Sequence, residues 1–172
     1  MHSEKRLPRN GKEFAIFLCI VSLISVNIIA PIIMGFERGF RSDVYLSTLR
    51  VIPLMWVIVV FLVTMVARPL VGKLVQKFSS PTDGFNAKVL FNILFSVTIL
   101  SILLTIIGTW VGKQEINFEP FQNFFSSWPR NFFIAFWVEA LIAQPIARLA
   151  MKKLHERQAY KVESEDIQKM AA

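Results

Sequence analysis

Glu139 is the residue with the most chemical potential in this 172-residue chain, because it is the one ionisable side chain near the middle of an apolar run long enough to cross a bilayer. A carboxylate facing lipid at that depth costs about 3 kcal/mol on insertion scales, so it is expected to face the interior of a helix bundle. Ala135 and Ala143, at i−4 and i+4, put small residues on the same helical stripe and allow close approach of a neighbour. Three hydroxyl residues, Ser22, Thr98 and Ser101, lie at comparable depth in other apolar runs, with Ser25 one turn beyond Ser22. Glu139, Ser22, Thr98 and Ser101 therefore form the candidate intramembrane polar site. Three roles are open to Glu139: a polar clasp between helices, a proton or cation site in a transport path, or a contact between subunits.

Other chemistry is not signalled. His2 and His155 stand at opposite ends of the chain, Cys19 has no companion, and neither a zinc-ligand spacing nor a glycine-rich phosphate loop occurs. The expectation is a non-enzymatic protein with no catalytic residues, no metal ligands and no cofactor. Cys19 reads as a small packing residue within the first apolar run. Arg68-Pro69 and Gln144-Pro145, the latter followed by Arg148, mark the inner ends of the second and fourth spans, where the proline is expected to kink the helix, with Arg68 and Arg148 as candidate contacts to lipid headgroups.

The elements that must position these residues follow from hydropathy. Hydrophobic residues make up 54% of the chain and mean hydropathy is +0.52, which points to a membrane protein. Phe14–Phe36 and Val89–Gly112 carry no charge and are each long enough to span a hydrocarbon core of about 30 Å. Val51–Ala67 is uncharged, and Asn131–Ala147 contains only Glu139; flanking arginines can snorkel, so both count as spans. Pro31 in the outer half of the first span predicts a kink covered by neighbouring helices. In the second outer connection, Phe118, Phe121, Phe124, Phe125 and Trp128 recur at steps of three and four, predicting a short interfacial helix with its rings at headgroup depth. Tyr45, Leu49 and Ile52 occupy the corresponding positions in the first.

A shift of 76 residues superimposes Lys12 on Lys88, Ser22 on Thr98, Ser25 on Ser101, Pro53 on Pro129, Ala67 on Ala143 and Pro69 on Pro145. The spans are thus read as one membrane hairpin written twice, each copy entering in the same orientation. Basic residues segregate: 14 fall in the termini and middle loop against 5 in the other two connections. The positive-inside rule places both termini in the cytoplasm. This distribution also accounts for the net charge of +7 without invoking nucleic acid.

The predicted architecture is all-α: an integral membrane four-helix bundle of two tandem, parallel-oriented transmembrane hairpins, N-in and C-in. A cytoplasmic lead covers 1–12, the hairpins 13–78 and 88–154, a linker 79–87 and a cytoplasmic tail 155–172. The run from Phe125 to Phe136, with Ser126-Ser127-Trp128-Pro129-Arg130 inside it, and Gln144-Pro145-Ile146-Ala147-Arg148 resemble the uncharacterised bacterial DUF2798 family of small integral membrane proteins. The first copy departs from that pattern, with Ile52 in place of the Trp and Lys73 as the basic residue after Pro69. The resemblance implies two-helix repeats in a bacterial cytoplasmic membrane and no known activity. Two functions are compatible with the sequence: a multi-pass protein acting through helix contacts, as a homo-oligomer or with a membrane partner, and a small transporter or channel subunit using Glu139.

Overall fold

The structure is a computed structural model that describes residues 7–80 and 82–170, without the side chains of 161–163 and 165–170. Every regular element among the described residues is helical. Helix α1 covers Gly11–Arg38, α2 Ser42–Leu62 and α3 Arg68–Phe78, with a π-helical turn, Val63–Ala67, joining the last two. Helix α4 covers Phe85–Lys113, the short α5 Glu119–Gln122, α6 Phe124–Val138 and α7 Gln144–Met170, with a second π-turn, Glu139–Ala143, between α6 and α7. Four stretches are long and apolar enough to cross a membrane: Gly11–Arg38, Ser42–Phe78, Phe85–Lys113 and Phe124–Tyr160. The second and fourth run 37 residues each, about 55 Å at helical rise, and so extend beyond the hydrocarbon core.

Each span starts and stops where its local chemistry requires. The Asn10 side chain accepts the Glu13 amide and so caps α1, which starts at Gly11. Gly39, at φ 92°, ends α1, and only residues 39–41 separate it from α2. Pro31 lies inside a helix that stays continuous through it. The linker is shorter than residues 79–87 because α4 starts at Phe85.

The four spans close into a ring. α1 packs on α2 and, on its other side, on the fourth span; α4 packs on α6 and, on its other side, on the second span. Val21, Ala143 and Ala147 form one core cluster and Val26, Ile52 and Val59 another. Ala143 and Ala147 are completely buried, so α1 approaches the fourth span to the distance that methyl groups permit.

Several expectations are amended here. The first concerns Arg68-Pro69 and Gln144-Pro145, where the helix runs on and the expected kink takes a specific form. In each case the turn before the proline opens into a π-turn, with the Arg68 amide bonded to the Val63 carbonyl and the Gln144 amide to the Glu139 carbonyl, five residues back. A proline in an α-helix clashes with the carbonyl four residues earlier, and the wider turn relieves that clash while the helix continues. The buried stripe follows: it steps by five from Leu62 to Ala67 and from Val138 to Ala143, then by four to Val71 and to Ala147. Val63 and Glu139, the first residues of the two turns, are 76 positions apart.

The aromatic segment is the second correction. Only Glu119–Gln122 forms a separate helix; Phe124, Phe125 and Trp128 lie on the first turns of α6, where Pro129 is tolerated within the helix. Phe118 and Phe125 remain exposed, whereas Trp128 turns inward. Cys19 is also displaced from its expected setting, being exposed on the outer face of α1. α7 runs on through residue 155, and His155 is 4% exposed within the bundle.

Candidate functional site

The fourth span delivers Glu139 to the bundle interior, where its carboxylate has two partners. Ser25 Oγ on α1 donates to Oε2 at 2.6 Å, and Gln144 Nε2 donates to Oε1 at 3.1 Å. The Gln144 contact is a product of the π-turn. In an α-helix, residues five apart point about 140° away from each other, whereas a turn closed by an i to i−5 bond stacks them. Residue spacing on an ordinary helix would have directed attention to Ala143 instead. The signal for Gln144 was the proline directly after it in both copies.

Glu139 opens on a central cavity of about 250 Å³ to which all four spans contribute. The cavity runs along the bundle from Phe14 at one end to Glu37 and Gly112 at the other. Its wall is mainly aliphatic, interrupted along its length by hydroxyl and amide side chains that include Ser22, Ser25, Asn92, Ser96, Ser101, Thr105 and Asn131. Toward the outer end, Asn131 Nδ2 donates to Thr105 Oγ1 at 3.2 Å, and Arg130 joins Asn131 Oδ1 at 3.3 Å to Glu37 Oε1 at 3.2 Å. These bonds tie α1, α4 and α6 together where the cavity ends.

The structure brings only part of the sequence-predicted group to Glu139. Ser22 accepts from Trp56 Nε1 at 2.8 Å and donates to the Leu18 carbonyl, so its one proton is already committed. Ser101 accepts from Trp128 Nε1 at 3.0 Å and donates to the Thr98 carbonyl. Thr98 donates to the Leu94 carbonyl of its own helix. The residue that reaches the carboxylate is Ser25. The first and second spans are joined by one Trp–Ser clasp and the third and fourth by another, and because Ser101 rather than Thr98 carries the second, its counterpart at the 76-residue shift, Ser25, is left available to Glu139.

Arg68 is exposed, with its guanidinium 4.3 Å above the ring of Phe14; Arg148 is half-buried. At the cavity's Phe14 end, Glu13 Oε2 accepts the Arg9 amide at 2.7 Å and lies 3.0 Å from His155 Nε2, with both residues buried. Sequence reasoning missed this pair because its members are 142 positions apart and each borders an apolar run without belonging to it. No group of three or more His, Cys, Asp or Glu able to hold a metal ion occurs among the described residues.

Comparison with known proteins gives one match. The model of the family described as "Domain of unknown function (DUF2798)" matches residues 85–155, the unit from the start of α4 to His155. That is the family which the Trp128 to Arg148 motifs resemble, and its match includes Glu139, Gln144 and the second π-turn. No curated protein and no solved structure matches the chain.

Proposed function

We propose that this protein is a small, non-enzymatic membrane transport protein in which Glu139 serves as a proton or cation site. The observation that carries the reading is the position of the carboxylate: it opens on a central cavity bounded by all four spans instead of being sealed between two helices. Desolvating a carboxylate is costly wherever it is placed, and an interior that leaves room beside it is consistent with a site that is filled and emptied. The π-turn supports the same reading, since such turns are frequent at functional sites and this one supplies the second donor to the carboxylate.

The proposal includes a topology of two tandem hairpins in the same orientation, with both termini cytoplasmic in a bacterial inner membrane, supported by the placement of basic residues and by the matching π-turns. Arg68 and Arg148 then lie on the cytoplasmic side within reach of lipid phosphates.

The test is flux in proteoliposomes containing the full chain. A proton or cation gradient should dissipate faster than in empty liposomes, and Glu139→Gln should abolish the difference. Absence of flux, or flux unchanged by Glu139→Gln, refutes transport and favours helix–helix association as the role of the carboxylate.

A further inference from the structure

We infer that the cavity beside Glu139 binds a small amphipathic organic monocation; the inference rests on the proposed transport role and deepens it by naming a ligand class. Charge is the first argument. Among the described residues lining the cavity there are two acids and neither Lys nor Arg, and one of the acids, Glu37, is paired with Arg130 at the outer end. Glu139 meets only neutral donors, Ser25 and Gln144. A carboxylate can accept about four hydrogen bonds, so these two leave acceptor capacity directed at the cavity. A lining with acidic and no basic side chains suits a cation in preference to an anion.

The wall does not suit a divalent metal ion. Calcium requires about six to eight oxygen ligands and magnesium a near-complete octahedron, whereas the wall is mainly aliphatic with its hydroxyl and amide groups spread along the cavity, and among the described residues Ser25 and Gln144 are the side chains bonded to Glu139. A compact ammonium on an apolar body satisfies both halves of the site, with the charge at the carboxylate and the body against valine and leucine side chains. Size gives the upper limit. At about 30 Å³ per water the whole cavity equals roughly eight waters, and because that space is spread along the bundle the cation can have no more than roughly ten non-hydrogen atoms.

The probe is phenyltrimethylammonium, with tert-butylbenzene as its neutral isostere, titrated into the full chain in lipid nanodiscs and followed by saturation-transfer NMR. The cation should bind, the isostere much less, and Glu139→Gln should weaken the cation by at least about tenfold. Ala135→Leu fills the cavity one turn from Glu139 while keeping both partners of the carboxylate, and should abolish cation binding as well. That second variant decides the matter if Glu139→Gln proves unstable.

Equal binding of the two probes, or cation binding indifferent to both substitutions, overturns the inference. No cation binding together with Glu139-dependent proton flux overturns the ligand class and leaves the proposed function standing. Glu139-dependent cation binding without flux sustains the ligand class and overturns transport; absence of both overturns both.

Discussion

Ser25→Ala should destabilise the bundle through one identifiable bond, and a double-mutant cycle with Glu139→Gln can isolate it. The hydroxyl lies 2.6 Å from Glu139 Oε2, the short range of a charge-assisted O–H···O contact, and no other side chain substitutes for it on that oxygen among the described residues. Hydrogen bonds to charged groups contribute about 1.5–3 kcal/mol in soluble proteins, but measured cycles within membrane helices average about 0.6 and reach about 1.7. The cavity beside Glu139 offers replacement partners in the variant, which lowers the loss, while the shortness of the bond raises it. A coupling energy of about 1 kcal/mol is expected. Glutamine at 139 can still accept from Ser25, so the cycle reads the charged part of the interaction. Unfolding in detergent, followed by tryptophan fluorescence, measures all four corners, because Trp56 and Trp128 lie within the bundle. A coupling below about 0.3 kcal/mol, the limit of ordinary additivity, would show that charge adds nothing to the bond from Ser25 and would refute its charge-assisted character.

Trp56→Phe and Trp128→Phe each remove one indole donor from a serine while keeping most of the ring, and each should cost about 1 kcal/mol in the same unfolding assay. The double variant should lose the sum, because the two clasps belong to different helix pairs. Ala147→Leu introduces bulk at a completely buried position against Val21 and should destabilise by about 1–3 kcal/mol, or prevent recovery of folded protein; a stability equal to the parent would refute the close packing of α1 on the fourth span. A topology reporter fused after Ser80 should be active only in the cytoplasm, and extracytoplasmic activity there would overturn the proposed orientation.

The spans were legible in the sequence because lipid imposes a simple requirement, an uncharged run of sufficient length, which Phe14–Phe36 and Val89–Gly112 meet without ambiguity. The inward orientation of Glu139 was equally legible, since exposure to lipid would be costly and its neighbours Ala135 and Ala143 are small. Its partners were not. Depth along the membrane selected Ser22, Thr98 and Ser101, but depth says nothing about which hydroxyl is already engaged, and Trp56 and Trp128 occupy two of the three. The prolines after Arg68 and Gln144 signal a distorted helix but not the form of the distortion. The extra residue per turn that makes room is a property of the backbone path, and it shows in the sequence only as a five-residue step in the buried stripe.

That five-residue step also predicts how the second and fourth spans would look in any residue-by-residue scan. Along an uninterrupted α-helix, accessibility is a wave that advances by about 100° per residue. A π-turn inserts one residue without rotating the flanking faces, so the wave should slip in phase by one residue between Leu62 and Ala67 and again between Val138 and Ala143. Single-cysteine labelling analysed with a continuous period would therefore assign the wrong face to every residue beyond the slip, placing Ala147, Met151 and His155 toward lipid although they are buried.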